Sequence, residues 1–255
     1  MKNIAIKTFC TSIILAMFSW QVQATIEDEI EKTFDVEVGS HFSLDNINGS
    51  VEIKSWDQQV IKVLATIKAD DQQGRDRISI DIQQSGQGVK VETRYKNKSS
   101  WGKNHHSGGV SYHVMVPEDI DLSSINLVNG SLTIENVHGN IKVDLVNGSV
   151  KAIGLMGDSE INSVNGSIKA IYHGLNDNFE KIDINTVNGS IKLSLPEGVS
   201  AAVNAETMHG SIANDFGLSV DKNLFSGKNI QGDIGSGDAR ISLASVNGSI
   251  KIMKK

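Results

Sequence analysis

His105, His106 and His113 are the side chains whose type first suggests chemistry. They surround a polar segment, Lys96–Gly109, that also carries Trp101. Imidazoles could make a weak zinc or copper contact there. Adjacent histidines, however, cannot easily share one ion as they would from one helix face, and the Lys, Asn, Ser and Gly content reads as a flexible excursion. Trp101, an aromatic on a polar loop, is a candidate ligand contact; packing against a sheet is its plainer role. A second set is cationic. Lys151, Lys169, Lys192 and Lys251 each stand at the same offset after an Asn-Gly-Ser triplet, with Lys142 their counterpart on the other strand. Stacked, they would form a stripe suited to acidic glycans or lipopolysaccharide phosphates, or a solvated face that discourages aggregation. No constellation for catalysis is visible: the chain lacks Gly-x-Ser-x-Gly, His-Glu-x-x-His and a phosphate-binding glycine loop. Equivalent positions carry Asn126, Asp144, Asn162, Asn185 and Glu206, a mixed polar row that suits stacking better than an acid/base pair.

The elements that must position these groups follow from a repeat. Asn-Gly-Ser followed by an aliphatic residue occurs six times, beginning at Asn48, Asn129, Asn147, Asn165, Asn188 and Asn247. Weaker copies lie at Val137–Ile141, Met156–Asp158, Met208–Ile212 and Ile230–Ile234. From Gly130 to Gly166 the turn glycines recur every nine residues, strong and weak copies alternating, so the true period is 18. Asn and Gly tolerate positive φ and bend an extended chain sharply. Between turns, short β-branched stretches alternate: Ile168, Ala170, Ile191 and Leu193 point one way, Lys169, Lys192 and Ser194 the other. A meander with Asn-Gly hairpins and a β-solenoid both fit this spacing, and self-similarity favours the solenoid, in which identical residues superpose. Asn129, Asn147, Asn165, Asn188 and Asn247 would then form an amide ladder at about 4.8 Å spacing. Ile141, Val150, Ile168, Ile191, Ile212 and Ile250 would fill a narrow core.

Residues 25–118 are less regular, with strands expected at Val60–Ile67, Ile78–Ile82, Val89–Tyr95 and Val110–Val116, and a loop or one helical turn at Asp70–Arg77. Pro117 marks the boundary with the repeat region, residues 119–255, which is expected to be continuous with what precedes it. Pro196-Glu197-Gly198 reads as a turn within it. Residues 1–24 read as a signal peptide: Lys2 and Lys7 precede an apolar run from Phe9 to Trp20, and Val22 and Ala24 are small residues at cleavage positions. The run is too short for a mature membrane span, and Cys10 lies within it rather than at a lipidation site. Cleavage would remove the only cysteine, excluding disulfides and thiolate zinc sites. It would also leave 22 basic and 30 acidic residues, a charge of −8 that argues against nucleic acid as a partner. The Asn-Gly-Ser triplets and Asn97-Lys98-Ser99 match the N-glycosylation pattern, which turn chemistry explains better.

Asn-Gly-Ser-Val with Trp56-Asp57 after it, Val-Pro-Glu-Asp at 116–119, and Val-Asn-Gly-Ser alternating with Gly-Asn or Gly-Asp copies resemble the bacterial putative-adhesin family over about Phe34 to Ile252. That resemblance implies a β-solenoid-like fold at the cell surface or in the envelope, and it supplies no catalytic residues. The nine-residue glycine spacing is also similar to calcium-binding repeat toxins, but the second glycine is missing and Ser replaces the turn acid. Only Asp158, Asp233 and Asp238 lie near turns, so calcium would be confined to Gly232–Asp238. The expectation is therefore an all-β stacked-strand solenoid, exported to the periplasm, surface or medium, needing no cofactor and no metal. It would act without catalysis as an adhesin-like binding or structural module toward an acidic glycan or an envelope protein. The alternatives are a solenoid-type carbohydrate-active enzyme and an envelope-stress regulator acting through a protein partner.

Overall fold

A computed structural model describes residues 25–96, 107–223 and 227–255. The first part of the chain alternates long strands with tight turns: β1 (Ile26–Asp35), β2 (His41–Asn48), β3 (Val51–Trp56) and β4 (Val60–Ala69). A single helical turn, α1 (Gln72–Arg77), precedes β5 (Ile78–Ser85), β6 (Gly88–Tyr95) and β7 (Gly108–Pro117). Asp71 caps that turn, its Oδ1 accepting from the Gly74 N–H at 2.7 Å. The repeats then supply paired strands: β8 (Asp121–Asn129) with β9 (Leu132–Glu135), β10 (Ile141–Asn147) with β11 (Val150–Leu155), and β12 (Ser159–Asn165) with β13 (Ile168–Tyr172). They continue with β14 (Lys181–Asn188) and β15 (Ile191–Leu195), then β16 (Ala201–His209) and β17 (Ile212–Asn214). After the short β18 (Asp221–Asn223) and β19 (Gly227–Ile234), a last pair, β20 (Ala239–Asn247) and β21 (Ile250–Lys254), ends the chain.

These strands form two sheets of ten and eleven strands. Each Asn-Gly-Ser corner carries the chain from the larger sheet into the smaller, so one repeat contributes one strand to each. Successive repeats pair in parallel, Ile168 opposite Val150 and Ile191 opposite Ile168. The expected solenoid is therefore present and the meander is not. Among the described residues, antiparallel pairing is confined to the ends, in β1–β4–β7, β5–β6 and β16–β19–β18. The core lies between the sheets. Every second residue points inward, as in β10, where Ile141, Val143 and Leu145 are buried and Lys142, Asp144 and Val146 face outward. Ile141, Val150, Ile168, Ile191, Ile212 and Ile250 all lie in this core. Tyr172 is fully buried there and its hydroxyl donates to the Ser159 Oγ.

The stacking order departs from chain order in two places. β2 and β3 pair directly with β8 and β9, so the residues before Pro117 share both sheets with the repeats. At the other end the last pair is inserted: β20 lies between β14 and β16, and β21 between β15 and β17. Gly232, read from sequence as a weak turn copy, lies instead inside β19, which runs antiparallel to β16.

The corner glycines are required by contact between coils more than by their own dihedrals. Positive φ is present at Gly49, Gly130 and Gly148 but not at Gly166, Gly189 or Gly248. What all six share is close approach. A Cβ on Gly166 would sit deep inside the Gly148 carbonyl oxygen of the coil below, and one on Gly189 would meet Gly166 in the same way. Stacked backbone, rather than a special dihedral, requires glycine there.

Candidate functional site

The opposite corners use their polar residues internally. Asp121 Oδ1 accepts from the Asn140 N–H at 2.7 Å, and Asn140 Oδ1 accepts from the Asp158 N–H at 3.0 Å. Asp158 Oδ1 in turn accepts from Glu180 and Lys181 N–H groups at 2.8 and 3.0 Å. These acids serve as caps for the next coil. In the Gly232–Asp238 stretch, Asp238 accepts from the Ser236 hydroxyl at 2.6 Å, which holds its carboxyl below the usual range. Among the described residues, no group of three or more His, Cys, Asp or Glu side chains is placed to hold a metal ion.

Two repetitive outer faces remain. On the smaller sheet Lys151 lies opposite Lys169, Lys169 opposite Lys192, and Lys192 opposite Lys251, all exposed and on adjacent strands about 4.8 Å apart. Among the described residues only one carboxylate approaches this stripe, Glu135, 3.9 Å from the Lys151 ammonium. Some lysines elsewhere on the surface are neutralised more closely. Lys142 meets Glu160 at 2.9 Å, raising the ammonium pKa and lowering that of the carboxyl. Lys54 does the same to Glu52 at 2.6 Å.

The larger sheet carries a groove of about 1100 Å³ on its outer face. One wall is a polar row in register, Asp45, Asn126, Asp144, Asn162 and Asn185, continuing through Ala244 to Glu206. Its amides and acids bond along the row: Asn126 Nδ2 donates to Asp45 Oδ1 at 2.6 Å, Asn162 Nδ2 to Asp144 Oδ1 at 3.0 Å and Asn185 Nδ2 to Asn162 Oδ1 at 3.1 Å. The other wall is apolar, formed by Ile47, Val128, Val146, Val164, Val187, Val246 and Met208. Six of these side chains are unusually open for aliphatic residues in a sheet, from 37 % for Ile47 to 56 % for Met208, while Val246 is half-buried. The sequence reading missed this row. The signal was present: the residue before Asn-Gly-Ser is Val in five of the six copies, and strand alternation places it in phase with Asp144 rather than with the core.

Along the corner between the faces runs a ladder of six asparagines, one more than expected. Asn129 Nδ2 donates to Asn48 Oδ1 at 3.0 Å, and Asn147, Asn165 and Asn188 each donate to the preceding member at 2.9 Å. Asn247 completes it, donating to Asn188 Oδ1 at 2.8 Å. His113 faces Glu52, with Nδ1 and Oε2 3.2 Å apart. Trp101, His105, His106, Asn97-Lys98-Ser99 and the whole of residues 1–24 lie outside the described residues. No described helix is long and apolar enough to cross a membrane.

Comparison with known proteins bears on the fold. A family profile described as Toastrack DUF4097 matches residues 104–253. No curated protein matches the chain significantly. A solved structure described as "a putative cell adhesion protein" from Clostridium sporogenes is similar over 89 % of this chain and 100 % of its own, with 14 % identity and a TM-score of 0.53. Another, described as "a putative adhesin" from Bacteroides fragilis, shares 14 % identity over 89 % of this chain and 97 % of its own, with a TM-score of 0.42.

Proposed function

The chain belongs to the Toastrack DUF4097 family, and from that premise we propose that it is an exported, non-enzymatic, adhesin-like binding module of the bacterial envelope that holds linear acidic glycans on its lysine stripe. The observation that carries this reading is the register of Lys151, Lys169, Lys192 and Lys251 on neighbouring strands. Like charges directly opposite one another in a sheet are unfavourable, and a polymer with one anion every few ångströms relieves all of them together. Phosphate-bearing or carboxylate-bearing sugars both meet that requirement. Export is supported by the charged start, short apolar run and small residues of positions 1–24. The description of the Clostridium sporogenes structure as "a putative cell adhesion protein" agrees with a surface role. The non-catalytic reading rests on Asp45 and Asp144, which are engaged as acceptors for neighbouring amides rather than set as an acid/base pair.

Binding of residues 25–255 to a panel of bacterial and host glycans, at low and high salt, tests the proposal. Acidic glycans should be retained at low salt, and Lys169→Glu with Lys192→Glu should weaken retention by roughly tenfold or more. No retention of any acidic glycan at low salt would sink it. The exposed apolar row favours a second use of the module, in which an envelope protein lays an apolar face into the groove. In that case Val146→Asp with Val164→Asp should abolish capture of the partner and leave glycan retention unchanged.

A further inference from the structure

Each Asn-Gly corner holds the two reactants of an intramolecular cyclisation side by side. The glycine backbone nitrogen can attack the side-chain Cγ of the preceding asparagine, forming the N–C bond of a five-membered succinimide. The amide C–N bond breaks, and the leaving nitrogen departs as ammonia with the glycine N–H proton. Water then opens the ring, its hydroxyl adding to one carbonyl carbon and its proton to the ring nitrogen, and leaves aspartate or isoaspartate. Glycine, with no side chain to hinder the attack, is the most permissive following residue. Six such pairs in one chain are a chemical liability, above all in a protein that works outside the cell.

The fold engages both reactants. Every corner glycine N–H donates across the stack. Gly49 donates to the Asn129 carbonyl at 3.0 Å, and Gly130, Gly148 and Gly166 donate to those of Asn147, Asn165 and Asn188 at 2.9 Å. Gly189 donates to Asn247 and Gly248 to His209, both at 3.0 Å. The side-chain amides are tied by the ladder, so the Cγ carbon cannot swing toward the nitrogen without breaking hydrogen bonds on two coils. Asn247 differs. It donates to Asn188, but the residue in register on its other side is His209, so no ladder amide donates to its Oδ1. Beyond it lies the end of β16, and on the smaller sheet the strand that follows, β17, is three residues long and closes that sheet. We infer that the six Asn-Gly corners are latent deamidation sites that the asparagine ladder holds unreactive in the folded chain, with Asn247 the position at which reaction begins. Reaction is self-propagating for the fold. An aspartate offers no Nδ2 donor to the ladder, and isoaspartate adds a methylene to a backbone stacked too closely to admit even a Cβ on the adjacent glycine.

The test is peptide mapping by mass spectrometry after incubation of the full chain in heavy-oxygen water at mildly alkaline pH, with and without denaturant. Asn129, Asn147, Asn165 and Asn188 should incorporate label roughly a hundredfold more slowly in the folded chain than in the unfolded one, because reaction there requires local opening. Asn247 should lead them in the folded chain. His209→Asn supplies the missing amide and should slow Asn247 to the rate of the inner corners, whereas His209→Ala should not, with circular dichroism showing that both variants fold. Equal rates at the inner corners with and without denaturant would overturn the protection. An Asn247 rate that does not exceed that of Asn165, or that is unchanged in His209→Asn, would overturn the ladder as its cause.

Discussion

Gly166 shows how much a single residue can decide in a stacked fold. Its replacement by alanine drives a Cβ into the Gly148 carbonyl oxygen, which is backbone held by its own ladder and cannot retreat. Gly166→Ala should cost at least about 3 kcal/mol, read from urea midpoints. Gly217→Ala is the control: its φ is +76° with nothing within 4 Å of the built Cβ, so only backbone strain of about 1 kcal/mol is expected. Two equal losses would refute the stacking explanation. Tyr172 and Tyr112 contribute to the pH dependence at its alkaline end. Burial pushes both phenols up, Tyr112 to about 12 from an ordinary value of 10.0, while the Thr93 hydroxyl 2.6 Å away partly offsets the shift. A phenol held protonated by folding contributes stability that is complete below the unfolded pKa and lost as pH rises through the folded one. Stability attributable to Tyr112 should therefore be level below pH 10.0 and fall toward pH 12. Tyr112→Phe should flatten that alkaline fall in a series of denaturant titrations, and a fall of undiminished slope would count against it.

The strand pairs, as elements, were largely legible. Short alternating stretches between turns predicted β4 to β7 and the repeat strands, because an inward aliphatic and an outward polar residue can satisfy only a half-buried strand. Helix α1 fills the segment left open between a loop and a helical turn. The order of stacking was not legible, since every Asn-Gly-Ser coil offers nearly the same edge to its neighbours and local sequence cannot say which coil sits beside which. The inserted pair β20 and β21 is the case in point: it is sequence-terminal yet hydrogen-bonded on both sides. Its amides should exchange with solvent as slowly as those of β12 and β14, whereas β17 and β18 should exchange earlier. Early exchange across β20 in a native-state hydrogen-exchange series would be inconsistent with this topology.

At the scale of the whole molecule, two faces with one repeat length carry different chemistry. The smaller sheet presents cations, the larger an apolar row beside a row of amides and acids. The chain as a whole is acidic, with formal charge −6, so attraction of an anionic polymer must be local to the stripe and should fade as salt shortens the screening length to about 10 Å and below. The sequence by itself determined the strand period, the inward and outward phases, the asparagine ladder and the lysine register, because each follows from spacing that recurs once per coil. It also contained the valine row, which alternation placed outside although the residue type suggested a core. Only the tertiary structure decided that corner glycines are set by backbone contact between coils, that turn acids are spent on capping the next coil, and that the last coil enters between two earlier ones. Those outcomes depend on which segments become neighbours across the stack, and a repeat whose copies are nearly interchangeable leaves that choice to the packing of the whole.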